Sequence, residues 1–75
     1  MKVEIVVTKK CVHRKLIENE LNDLGVKYKV IFVEDNPDIV SKYSIRHSPN
    51  IILNNDIVCR ELPSESELKK IFNIN

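Results

Sequence analysis

The tightest constraint on this chain is its first 33 residues, where two apolar runs flank a helical pattern and almost nothing is left over for connections. Residues 2–7 alternate and then run apolar through Val3, Ile5, Val6 and Val7, the mark of a short central β-strand. Residues 11–24 place Val12, Leu16, Ile17, Leu21 and Leu24 at helical spacing, and Gly25 stands where a helix stop belongs. Residues 26–33, VKYKVIFV, alternate and then become apolar, so they read as a second strand. Strand, helix and strand with short links make a βαβ unit, whose two strands lie parallel through a right-handed crossover.

The second half reads differently. Asn36-Pro37 suits an N-cap followed by proline at the first helical position, opening a short helix over 37–43. Ser48-Pro49 precedes NIIL, and Asn54-Asn55 separates that run from DIVCR, which is an antiparallel hairpin signal. Ser64-Glu65-Ser66-Glu67 has the capping-box pattern and starts a last helix through Leu68, Ile71 and Phe72. The expectation is one α/β domain over residues 1–75, in the order β-α-β-α-β-β-α. Its four-stranded mixed sheet runs in order 2-1-3-4 with strand 4 antiparallel to strand 3. The first and last of its three helices share one face, and the short 37–43 helix takes the other.

Composition narrows the function classes. A net charge of +1 gives no general reason to expect nucleic acid or a membrane surface as partner. No apolar run is long enough to span a bilayer, and Glu4 breaks the only apolar stretch a leader could use, so a cytoplasmic monomer is the expectation. One glycine in the whole chain argues against a phosphate-cradling loop. Two cysteines are too few for a disulfide scaffold, and Cys11, His13, His47 and Cys59 lack zinc-site spacing, so neither metal nor cofactor is expected.

The element order, a cysteine at the first strand–helix junction and a Ser-Pro opening the third strand together resemble the thioredoxin/glutaredoxin superfamily. The nearest local match is NPDIVSKYSIRHSPNIIL, in which Tyr43, Ile45, Arg46 and Pro49 fall on the thioredoxin pattern that leads into a cis-proline. The resemblance covers nearly the whole chain. It implies a cis Ser48–Pro49 bond and a backbone at Ser48 that pairs with bound substrate as an added strand would. The chain departs from the family at three places. Its motif is Cys11-Val12-His13-Arg14, with Arg14 where the second cysteine belongs. Lys10 stands where thioredoxins have an aromatic residue, and Cys59-Arg60 stands where glutaredoxins have Gly-Gly.

The stretch Thr8–Lys15, TKKCVHRK, sets Cys11 among five basic or potentially basic side chains. A thiol at a helix N-terminus faces unpaired N–H groups and the positive end of the dipole, and Lys9, Lys10, Arg14 and Lys15 add charge. A low-pKa thiol is the expectation, with His13 shuttling a proton to a leaving thiol. With Arg14 in place of a second thiol, the reaction is monothiol. Cys11 forms a mixed disulfide with a small thiol such as glutathione, or with a protein thiol, and a second external thiol resolves it. Lys9, Lys10 and Arg14 are candidates to hold substrate carboxylates.

Cys59 is a second candidate thiol. A regular hairpin about Asn54-Asn55 sets it opposite Asn50, close to the level of Pro49, which makes it a candidate resolving thiol for Cys11. The plainer reading of Cys59 is a half-buried small hydrophobe. Other residues also have plain readings: His47 as loop surface, and Tyr28 and Tyr43 as packing residues with wet hydroxyls. For the chain as a whole, the alternative to exchange is a non-catalytic module of this fold. It would use the Cys11 and Pro49 surface to bind a protein or an anionic partner.

Overall fold

Strand β1 (Val3–Val7) is the strand on which the other elements are built: all of its residues are buried. The computed structural model describes residues 2–73. β1 pairs in parallel with β2 (Lys29–Phe32) and antiparallel with β3 (Asn50–Leu53), which pairs antiparallel with β4 (Asp56–Cys59). The sheet order is β2-β1-β3-β4, as the sequence implies. The crossover from β1 to β2 is α1 (Arg14–Asp23). A single 3-10 turn (Val33–Asp35) leads into α2 (Pro37–Tyr43), and α3 (Glu65–Ile71) closes the described chain.

Strand alternation divides the core in two. Val3, Ile5 and Val7 face one way and pack with Ile17 and Leu21 of α1, Ile51 of β3, and Leu68 of α3. Val6 faces the other way and joins Ile31, Ile45 and Ile52, with Ile39, Val40 and Tyr43 from α2 packed against them. Helices α1 and α3 therefore share one face and α2 holds the other. The hairpin turns at Asn54 and Asn55, whose φ values of 50° and 70° make it a primed turn of the kind that matches strand twist. Ser64 closes the expected capping box: its hydroxyl accepts from the Glu67 N–H at 3.2 Å, and the Glu67 carboxylate accepts from the Ser64 N–H at 3.2 Å.

Four local expectations are corrected. The first helix begins at Arg14 rather than residue 11, because residues 8–13 form two tight turns. The Cys11 N–H bonds to the Thr8 carbonyl at 3.1 Å, and the Arg14 N–H reaches back to the Cys11 carbonyl at 3.4 Å. Val12 and Leu16 are not core residues, being 85% and 48% exposed. Val12 lies in the turn, and Leu16 is about 100° around the helix from the buried Ile17. The second strand starts at Lys29, since the Val26 N–H is used to close α1 on the Leu21 carbonyl at 2.9 Å. Asn36 precedes α2, but its side chain does not cap it; the amide donates instead to the Phe32 carbonyl at 3.0 Å.

Candidate functional site

The site is assembled where the C-terminal end of β1 meets the start of β3. Val6 pairs with Asn50, the last pair of the β1–β3 ladder. Continuing that register puts Val7 opposite Pro49 and Thr8 opposite Ser48. Proline has no N–H to offer a neighbouring strand, so the ladder stops there. The Ser48–Pro49 peptide bond is cis. Side chains on either side of it keep the two segments together. The Ser48 hydroxyl accepts from the Thr8 N–H at 3.2 Å. The Asn50 side-chain amide, 1% exposed, donates to the Val6 carbonyl at 3.3 Å and to the His47 carbonyl.

Cys11 sits in the turn that follows Thr8. Its thiol is free and half-exposed, and its inner side packs against the core cluster shared by α1 and α3. The α1 N-terminus beyond it has no side-chain cap and no acidic residue in its first turn. A cavity of about 400 Å³ opens between His13, His47, Ser48, Glu61 and Leu62. It joins the residues beside Cys11 and Pro49 to the link after β4. A larger cavity, about 650 Å³, lies at the other end of α1, around Gly25 and Tyr28, and contains no thiol. Among the described residues, no three side chains of His, Cys, Asp and Glu come together as a metal site.

The basic cluster around Cys11 is less free than the sequence suggests. Lys9 is tied down twice: its backbone N–H points at the Glu34 carboxylate at 3.0 Å, and its ammonium lies 3.2 Å from Asp35. Arg14 is 2.9 Å from Glu18 and lies over the Phe32 ring, 5.7 Å from its centroid. Glu34, Asp35 and Glu18 engage Lys9 and Arg14, whereas Lys10 and Lys15 are exposed with no ion pair among the described residues, and His13 and His47 line the cavity. His47, which reads from sequence as loop surface, is exposed and lines the cavity.

Cys59 does not stand opposite Asn50. The hairpin begins in regular register, Leu53 to Asp56 and Ile52 to Ile57, but Cys59 then pairs with Ile51. Val58 is the extra residue of a β-bulge and is 40% exposed. The bulge moves Cys59 one residue back from the level of Pro49. Its thiol donates to the Glu61 carbonyl at 2.9 Å, and its side chain packs half-buried against the core. Glu18, Asn50, Glu61 and Leu62 are site residues that the sequence reading missed. Glu18 had a signal, four residues after Arg14 on the same helix face. Glu61 and Leu62 lie in an irregular link with no pattern to mark them.

A family model described as a thioredoxin domain matches residues 1–73. Two solved structures have the same fold. One is a point mutant of the thioredoxin-like protein BC3987, with a TM-score of 0.78 at 17% identity, covering 99% of this chain and 97% of that one. The other is a glutaredoxin from Archaeoglobus fulgidus, with a TM-score of 0.71 at 22% identity, covering 95% of this chain and 85% of that one. No curated protein matches the chain.

Proposed function

The chain belongs to the thioredoxin domain family, and from that premise we propose that it carries out thiol–disulfide exchange through Cys11 alone. The observation that carries this reading is a half-exposed free thiol in the turn that Thr8 ties to the Ser48 hydroxyl, with Arg14, not a thiol, at the second motif position. The Cys11 thiolate attacks one sulfur of a disulfide R–S–S–R. A Cys11–S–S–R bond forms, the original S–S bond breaks, and R–S⁻ leaves. A second thiolate R′–S⁻ then attacks the R sulfur of the mixed disulfide, giving R–S–S–R′ and returning Cys11 as thiolate. The net change is one exchange, with no overall oxidation and no cofactor.

His13, two residues after Cys11, lines the cavity with Ser48, and in this reading it protonates the leaving thiolate. Lys10 attracts substrate carboxylates; Lys9 and Arg14 contribute less, because Asp35 and Glu18 engage them. Ser48 and Pro49 supply the backbone against which an extended substrate aligns. The substrate is a small thiol such as glutathione or a protein thiol or disulfide, and the protein acts as a cytoplasmic monomer. No helix among the described residues is long and apolar enough to cross a membrane. Incubation with oxidised glutathione, followed by mass spectrometry of the digested protein, tests the reading. One adduct, on Cys11, is expected, and an adduct confined to Cys59 would overturn it.

A second reading is favoured by the packing of Cys11 against the core and by the engagement of Arg14 with Glu18. In it the domain binds a protein or anionic partner through the Cys11 and Pro49 surface without chemistry. Alkylation of Cys11 no faster than that of a free thiol selects this reading.

A further inference from the structure

We propose that Ser48 is a positioning residue whose hydroxyl carries the β1–β3 ladder past Pro49 and thereby sets the Cys11 turn against the proline loop. The proposal rests on the exchange reading for its catalytic consequence, but its structural part stands on the hydrogen bonds themselves. In a regular antiparallel ladder the facing residues Thr8 and Ser48 would exchange backbone bonds or leave them to their neighbours. Here neither backbone group of Thr8 is bonded to the backbone of Ser48. The Thr8 N–H goes to the Ser48 hydroxyl at 3.2 Å, and the Thr8 carbonyl accepts the Cys11 N–H at 3.1 Å. Thr8 is therefore the point where the sheet hands over to the reactive turn, and both of its backbone groups are occupied in doing so.

The consequence is a short relay. Ser48 adjoins Pro49, its hydroxyl fixes Thr8, and Thr8 fixes the backbone of Cys11. Asn50 secures the other flank of Pro49, bonding the Val6 carbonyl on β1 and the His47 carbonyl in the loop. Ile45, buried in the second core cluster, anchors the same loop from below. An alanine at position 48 would leave the Thr8 N–H without its acceptor and let the turn move relative to Pro49. Attack on a disulfide that must lie along the Pro49 loop is sensitive to that displacement. Attack on a small alkylating reagent, which needs no such alignment, is not.

Three measurements on wild type, Ser48→Ala and Ser48→Thr test this. Amide hydrogen exchange by NMR reads the relay directly. In Ser48→Ala, protection at Thr8 and Cys11 should fall by about fivefold or more, while that in α3 is unchanged. Exchange with a cysteine-containing peptide disulfide should slow by about tenfold, while alkylation by iodoacetamide stays within about twofold. Ser48→Thr keeps the hydroxyl and should restore all three. The proposal is overturned if Ser48→Ala leaves Thr8 and Cys11 protection unchanged. It is also overturned if peptide exchange survives the loss of protection, or if alkylation and exchange fall together. A wild-type protein that exchanges with no disulfide defeats the exchange reading alone, since amide protection still decides whether Ser48 holds the turn.

Discussion

The Arg14 guanidinium lies 2.9 Å from the Glu18 carboxylate, whose other oxygen accepts a hydrogen bond from the Tyr28 hydroxyl at 3.0 Å. Arg14 occupies the place of a second motif thiol, so that position is part of the contact between α1 and the approach to β2. It fixes the helix that follows Cys11 and leaves the cysteine without an internal partner one turn away. Burial raises the Tyr28 pKa above 10.0, and the Glu18 hydrogen bond and negative charge add to the rise.

Glu18→Gln should lower the Tyr28 pKa towards its ordinary value, because the carboxylate's charge is removed while the burial stays. Ultraviolet titration of the phenolate measures this, and an unchanged midpoint would mean that Glu18 is not a cause. The sign for stability follows. A hydroxyl whose folded pKa is raised holds its proton more tightly in the folded state. Its contribution is complete below the unfolded value near ~10 and is lost as pH rises through the folded value. Glu18→Gln should therefore flatten the decline of stability at alkaline pH. At neutral pH the lost i,i+4 pair should cost about 0.5 kcal/mol in urea unfolding.

Arg14→Cys gives the domain a second motif thiol. Wild type should be a poor reductant of insulin, since no thiol at position 14 can resolve a mixed disulfide. The variant should reduce insulin measurably faster, with a loss of about 0.5 kcal/mol from the broken Glu18 pair. A variant that folds but gains no dithiol activity would show that the turn before α1 holds position 14 out of reach of Cys11.

Two helix ends differ in one informative way. Gly25 ends α1 with φ +72°, and Ser44 ends α2 with φ 52°, each followed by a residue whose N–H reaches back five positions, Val26 to Leu21 and Ile45 to Val40. Nothing lies within 4 Å of a Cβ built at Gly25, so the left-handed backbone alone demands glycine there. Gly25→Ala should destabilise by about 1 kcal/mol, and Ser44→Gly should stabilise by about 0.5 to 1 kcal/mol. Urea unfolding of both variants checks the pair, and opposite signs are the expected outcome.

The fold was legible because its strongest signals agree. The β-branched β1 run, the short links around α1 and the helix stop at Gly25 force a parallel βαβ unit, and the Asn54-Asn55 turn forces an antiparallel hairpin. Ser64 and Glu67 announced their capping box in advance. The site was legible only in part. His13 and Ser48 line one cavity, and the Ser48 hydroxyl holds Thr8, three residues before Cys11. The β-bulge at Val58 has no sequence mark, and it is what moves Cys59 out of register with Asn50. The turns over residues 8–13 carry no glycine or proline, so the helix pattern concealed them. The neutralisation of Lys9 depends on Asp35 and Glu34, which lie 26 and 25 residues away in sequence and come close only because β1 and β2 end side by side.

The most direct test of single-thiol exchange is the turnover of a mixed disulfide between glutathione and a cysteine peptide by wild type, Cys11→Ser and Cys59→Ser. Cys11→Ser should abolish turnover. Cys59→Ser should leave it within about twofold of wild type, because an external thiol, not Cys59, resolves the Cys11 adduct. Turnover that persists in Cys11→Ser, or a Cys11 adduct that accumulates unresolved in Cys59→Ser, would contradict it.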